Sequence, residues 1–134
     1  MHAATSMAAP PRVLVADDDP GLLEAIVDYF DELGADVVRA ENGAELLARL
    51  AEQEPIDLIV TDISMPWMNG LHVVAAARHA GVGAPVIVMT ALDDARLDEK
   101  IEELGQRVVL LRKPFDLDEL EATAVELLSS SRLT

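Results

Sequence analysis

The sequence predicts an α/β fold, a (βα)5 chain in which a five-stranded parallel sheet is doubly wound and covered by helices on both faces. Short aliphatic runs, rich in β-branched residues, alternate with longer amphipathic stretches of Ala and Leu, which is typical of such a sheet. Half of the 134 residues are hydrophobic, yet only 3% are aromatic, so aliphatic side chains must fill the core. The length suits one domain.

The first two strand–helix units carry clear start signals. The first strand is expected at about residues 12–17, where it ends at the first of three consecutive aspartates. Asp19 is expected to cap the following helix, with Pro20 at the first helical position, where the missing N–H of proline costs nothing. A weakly alternating run at residues 36–40 suits an edge strand, and Asn42 leads into a second helix that closes near Pro55.

The other three units repeat this order. Their strands are expected at residues 56–61, 85–90 and 107–112. A short helix follows the loop that ends at Gly70. The next helix is expected to begin at Asp93 or Asp94 and to stop at Gly105, and Asp116 opens the last one.

One domain accounts for most of the chain. We expect residues 12–128 to form it, residues 1–11 to be a flexible N-terminal tail, and residues 129–134 to be a C-terminal tail or the start of a linker. A (βα)5 chain usually adopts the strand order 2-1-3-4-5 of a flavodoxin-like three-layer sandwich. That order places a topological switch point between the first and third strands.

Composition argues against several classes of function. The absence of cysteine excludes disulfides and thiolate metal sites. A formal charge of −15 argues against direct contact with nucleic acid, which needs a basic face. No apolar run approaches the roughly 20 residues that span a bilayer, and the N-terminus is a poor signal peptide. We therefore expect a cytoplasmic protein with neither nucleic acid nor membrane as a direct partner.

Polar residues that could handle a phosphoryl group follow or end four of the aliphatic runs. They are Asp17 with Asp18, Asp62, Thr90 and Lys113. Parallel strands would bring all of them to the carboxyl edge of the sheet, where open α/β sheets place their sites. Each residue alone has an ordinary structural explanation, such as a helix cap or a loop start. Together they predict a magnesium-dependent phosphate site, because Mg²⁺ prefers carboxylate oxygens and phosphate.

In addition, the chain resembles the receiver domain of two-component response regulators over residues 12–128. The matching segments run from Val13 to Pro20, from Asp62 to Gly70, from Met89 to Ala91 and from Lys113 to Phe115. Their combination in this order is highly specific. The resemblance implies a phosphoacceptor signalling domain rather than an enzyme.

The resemblance also implies roles for the acidic residues. Asp62 would accept a phosphoryl group from the phosphohistidine of a sensor histidine kinase or a histidine phosphotransfer protein. Asp17 and Asp18 would bind Mg²⁺, with Mn²⁺ as an alternative. Asp62 and the backbone carbonyl of Ser64 would complete the protein ligands.

Three residues on the last two strands have implied roles as well. Thr90 would be the hydroxyl that responds to phosphorylation, and Lys113 would pair with the acceptor and then with its phosphate. Pro114 would follow a cis peptide bond. Receivers commonly carry an aromatic residue three positions before the lysine, but this chain has Leu110, which leaves the mechanism of output open.

Phosphorylation would thus switch a two-state domain that a downstream protein or an effector domain outside this chain reads. A homodimer through the face of the fourth helix, fifth strand and fifth helix is a further expectation. Two other functions fit the residues less well. A Mg²⁺-dependent phosphohydrolase would usually need an aspartate two residues after the nucleophile, where this chain has Ser64. A degenerate receiver used only for docking is disfavoured, because every residue needed for phosphorylation is present.

Overall fold

The computed structural model describes residues 10–52, 54–63, 70–79, 81–91, 95–103 and 107–133. Strands and helices alternate strictly. They are β1 (Arg12–Ala16), α1 (Pro20–Glu32), β2 (Asp36–Ala40), α2 (Gly43–Leu50), β3 (Leu58–Asp62), α3 (Gly70–His79), β4 (Val86–Thr90), α4 (Ala95–Glu103), β5 (Val108–Arg112) and α5 (Leu117–Leu133). All strand pairs are parallel, in the order β2-β1-β3-β4-β5. The predicted fold class is confirmed.

Two hydrophobic layers hold the helices against the sheet. Along β1, Val13 and Val15 point toward α1 and α5, whereas Leu14 and Ala16 point toward α2, α3 and α4. Every residue of β3 and β4 is buried, which explains why their sequences are almost uninterrupted aliphatic runs. β2 lies at the sheet edge and is only partly buried, in agreement with its weak alternation.

The boundaries of α1 follow from local chemistry. The Oδ1 atom of Asp19 accepts hydrogen bonds from the backbone N–H groups of Gly21 (3.0 Å) and Leu22 (3.4 Å). Asp19 is therefore the predicted N-cap, and Pro20 is the first helical residue. Gly34 follows the helix with φ of +91°, a left-handed conformation that glycine adopts at little cost.

Several predicted boundaries differ from the structure. β3 begins at Leu58 rather than residue 56, because the side chain of Asp57 turns back to accept a hydrogen bond from the backbone N–H of Arg12 (2.8 Å). α2 ends at Leu50, well before Pro55. α5 continues to Leu133, since serine lowers helix propensity only modestly and neither glycine nor proline interrupts it.

Some predictions lie outside the described residues, namely the helix cap at Asp93 or Asp94, the helix stop at Gly105 and the carbonyl of Ser64. The assignment of residues 129–134 to a tail or a linker stays a prediction. Within the described part of the chain, no helix combines the length and the apolar character needed to cross a bilayer.

Candidate functional site

The carboxyl edge of the sheet brings the predicted site residues together. Ala16 pairs with Thr61 across the β1–β3 ladder, which places the next residues, Asp17 and Asp62, side by side. Asp62 pairs with Met89 of β4, so that Thr90 follows on the adjacent strand. The sheet register therefore sets the lateral order of the site.

Two backbone hydrogen bonds extend the sheet just beyond its strand ends. The N–H of Ile63 donates to the carbonyl of Met89 (2.9 Å), and the N–H of Lys113 donates to the carbonyl of Thr90 (2.7 Å). The second bond fixes the backbone of Lys113 beside Thr90, which is itself completely buried. Lys113 is thus held on the sheet even though it follows the last residue of β5.

The ammonium of Lys113 lies between two buried carboxylates. Its Nζ atom is 3.0 Å from Oδ2 of Asp17 and 3.4 Å from Oδ2 of Asp62. The side chains of Asp17 and Asp62 are 0% and 9% exposed, and that of Lys113 is 21% exposed. Burial lowers the pKa of Lys113, but the hydrogen bond and charge of Asp17, reinforced by Asp62, outweigh it and raise the pKa above its usual value. Lys113 therefore remains charged at neutral pH.

Three carboxylates at this edge could hold a divalent cation. Asp17, Asp18 and Asp62 each offer an oxygen, and these oxygens lie within 4.8 Å of one another. The Oδ1 atom of Asp17 also accepts a hydrogen bond from the backbone N–H of Asp19 (2.9 Å), which orients the carboxylate. With Lys113 the group has a formal charge of −2, so its charge and its oxygen donors both fit Mg²⁺.

The structure refines the pairing that the sequence suggested. Lys113 was expected to pair with Asp62, but its ammonium is closer to Asp17. The backbone N–H of Asp19 is a part of the site that sequence reasoning missed, because nothing in a residue's identity reveals where its backbone donor points. Lys113–Pro114 is a cis peptide bond, as the resemblance implied. Leu110 is partly buried and packs against the layer that contains α2, α3 and α4.

The chain shares this architecture with known proteins. A family model described as the response regulator receiver domain matches residues 13–125. The transcriptional regulatory protein CiaR of Streptococcus pneumoniae is 38% identical over 122 residues, which cover 90% of this chain and 52% of CiaR. The curated relatives are longer than this chain. The matched part spans 24% of the transcriptional regulatory protein GlrR of Escherichia coli and 52% of CiaR.

Solved structures agree with this match. The receiver domain of the Francisella response regulator 1452 superposes with a TM-score of 0.80 at 34% identity, covering 90% of this chain and 98% of that one. A CheY-like receiver domain protein from Methanospirillum hungatei JF-1 superposes with a TM-score of 0.85, covering 92% and 97% of the two chains. At 24% identity, this second likeness supports the fold alone.

Proposed function

The chain belongs to the response regulator receiver family, and from that premise we propose that Asp62 accepts a phosphoryl group from the phosphohistidine of a sensor histidine kinase or a histidine phosphotransfer protein. The chain is a receiver domain homologous to two-component response regulators, and it is therefore a signalling domain. The observation that carries the proposal is the position of Lys113, whose ammonium is 3.4 Å from Asp62 and 3.0 Å from Asp17.

Transfer would occur by direct displacement at phosphorus. A carboxylate oxygen of Asp62 forms an O–P bond while the P–N bond to the donor imidazole breaks, and the departing electron pair returns to the imidazole nitrogen. The product is an acyl phosphate on Asp62. Because the pKa of Lys113 is raised, its ammonium stays positive and pairs with a phosphoryl oxygen. The hydroxyl of Thr90, at the end of the neighbouring strand, would donate a hydrogen bond to another phosphoryl oxygen.

The acidic residues would hold a divalent cation beside the acceptor. Asp17, Asp18 and Asp62 would bind Mg²⁺, or Mn²⁺, and the carbonyl of Ser64 is proposed as the remaining protein ligand. When bound, the ion supplies positive charge to the phosphoryl oxygens. The hydrogen bond from the N–H of Asp19 would keep the carboxylate of Asp17 in place during transfer.

Phosphorylation would change the population of two receiver conformations, and a partner would read the difference. We propose that the face formed by α4, β5 and α5 reports the change to a downstream protein or effector domain, or forms a homodimer. Leu110 lies on β5 and packs against the hydrophobic layer that contains α2, α3 and α4. A change in this packing would have to take the place of the aromatic residue that other receivers commonly carry at this position. The acyl phosphate would be lost slowly by hydrolysis. Membership of the receiver family also supports a cytoplasmic location for the protein.

Acetyl phosphate tests the proposal without a cognate kinase. We expect intact-mass spectrometry to show about one phosphoryl group per chain in the presence of Mg²⁺ and none in Asp62→Asn. Asp36→Asn is the matched control, because Asp36 is exposed at the opposite edge of the sheet. Asp62→Asn preserves the shape of the buried side chain, so its loss of label would not reflect unfolding. Folding of each variant is checked by circular dichroism.

Two results would contradict the proposal. Labelling that persists in Asp62→Asn would place the phosphoryl group elsewhere. Sustained turnover of small phosphate esters, rather than stoichiometric labelling, would favour the Mg²⁺-dependent phosphohydrolase. If the label depends on Asp62, phosphotransfer from purified candidate kinases, with Asp62→Asn as control, would identify the donor.

A further inference from the structure

A second feature lies at the opposite edge of the sheet, beside the C-terminal end of α1. An apolar groove of about 250 Å³ runs between α1, the start of β1 and α5. Phe30 and Leu33 line it from the α1 side. Ala124, Val125 and Leu128 line it from α5, and Glu121 stands at its rim.

The groove leaves large apolar side chains uncovered. Leu33 is 50% exposed and Val125 is 52% exposed, and among the described residues only Leu47 is a comparably exposed large hydrophobic residue. The four α5 residues that line the groove, from Glu121 to Leu128, are spaced i, i+3, i+4 and i+7, so they form one stripe over about two helical turns. A second helix laid along this stripe would bury it.

The charges around the groove are negative. The half of α1 next to the groove carries Asp28, Asp31 and Glu32 and neither lysine nor arginine, and its last turn has no basic residue to offset the helix dipole. Residues 117–128 of α5 carry four more carboxylates and no basic residue. At the rim, the carboxylate of Glu121 is held in place by a hydrogen bond from the hydroxyl of Tyr29 (2.6 Å).

From this geometry we propose that the groove docks a basic amphipathic helix of a partner protein, with apolar residues in the groove and Lys or Arg facing the carboxylates. A second copy of the chain paired symmetrically through this groove would bring the same two acidic helices and would be repelled. The first nine residues contain no Lys or Arg and so cannot supply the cations. This site is independent of the phosphoacceptor proposal and lies on the side of α5 that faces α1.

A display library of helical peptides about 20 residues long, selected on the full wild-type chain, tests the proposal. We expect the recovered peptides to combine an apolar stripe with flanking Lys or Arg. A synthetic peptide of recovered sequence is then titrated by fluorescence anisotropy. Val125→Lys should weaken its binding about tenfold or more, since it removes an apolar contact and adds a repelling charge. Lysine favours helix more than valine, so this variant should fold.

Leu47→Lys is the matched control, because Leu47 is 40% exposed but lies on α2 and outside the groove. It should leave peptide binding unchanged, and added salt should weaken binding to the wild type. The proposal is overturned if no helical peptide is recovered, if recovered peptides are acidic or neutral, or if Val125→Lys binds as well as the wild type. A wild-type dimer that Val125→Lys dissociates, measured by light scattering, would instead make the groove a self-interface and would also overturn it.

Discussion

Replacing Lys113 by methionine tests the electrostatic balance of the site. The substitution keeps the length of the apolar stem, from Cβ to Cε, but removes the ammonium from between two buried carboxylates, 3.0 and 3.4 Å away. Breaking a buried ion pair on one side typically costs 3–5 kcal/mol, because the remaining charge is left uncompensated. Since Lys113 is 21% exposed and water reaches it, we expect the lower end, about 3 kcal/mol. For a chain of this size that lowers Tm by about 10 °C.

The same substitution should strengthen the effect of a divalent cation. Lys113 and a bound Mg²⁺ would neutralise the same carboxylates, and removing the lysine makes the formal charge of the group more negative, from −2 to −3. We expect Mg²⁺ to bind Lys113→Met about tenfold more tightly, which corresponds to about 1.4 kcal/mol. Mg²⁺ should therefore raise the Tm of the variant more than that of the wild type.

Calorimetry in EDTA and in a series of Mg²⁺ concentrations measures both effects. Lys100→Met is the matched control, because Lys100 is the only other lysine of the chain and is exposed on α4. It should change neither Tm nor the Mg²⁺ response by a comparable amount. A Lys113→Met variant that is as stable as the wild type in EDTA, or equal stabilisation of both proteins by Mg²⁺, would refute this electrostatic role of Lys113.

Three further predictions follow from other contacts. Asp18→Asn should abolish most of the Mg²⁺-dependent rise in Tm and change Tm in EDTA little, since Asp18 is an exposed member of the acidic group. The hydrogen bond to Glu121 raises the pKa of Tyr29 to about 12, so ultraviolet titration of this single tyrosine should show a midpoint well above 10 in the folded chain. Stability contributed by Tyr29 should be complete below pH 10 and lost as pH rises toward 12. Asp19→Ala should lower the free energy of unfolding by about 1 kcal/mol in denaturant melts, since two backbone N–H groups lose their acceptor.

Each of these has a clear contrary result. An unchanged Mg²⁺ response in Asp18→Asn would remove Asp18 from the proposed metal site. A tyrosine midpoint near 10 in the folded wild type, or one that Glu121→Gln does not lower, would contradict the Tyr29–Glu121 hydrogen bond. Asp19→Ala with wild-type stability would show that water replaces the cap without loss.

The sequence predicted most of the fold because local and long-range signals agree. The aliphatic runs of β1, β3 and β4 are buried on both faces of the sheet, and their short, continuous apolar sequences therefore predicted buried parallel strands. Asp19 and Pro20 marked the start of α1 through chemistry that acts within one helical turn. In contrast, no local signal marks the early end of α2 at Leu50, and the serine run lowers helix propensity too little to end α5 before Leu133.

The site was predicted as a set of residues but not as a geometry. A parallel sheet places strand ends at one edge, and this rule was enough to group Asp17, Asp62, Thr90 and Lys113. The rule does not say which carboxylate the lysine approaches more closely, because that depends on the path of a flexible side chain past the end of β5. The groove was not foreseen either. Leu33 and Val125 fit the apolar stripes of their helices, and only the structure shows that no described neighbour covers them fully.

The order in which the strands enter the site has a consequence for biosynthesis. Asp62 on β3, the proposed acceptor, is made early, whereas Lys113 follows β5, and its N–H donates a hydrogen bond to the carbonyl of Thr90 on β4 (2.7 Å). A nascent chain that ends before β5 would carry Asp17, Asp18 and Asp62 but would lack both β5 and Lys113. If Asp62 is the acceptor, as proposed, the complete site would thus form only after all five strands have left the ribosome and joined the sheet.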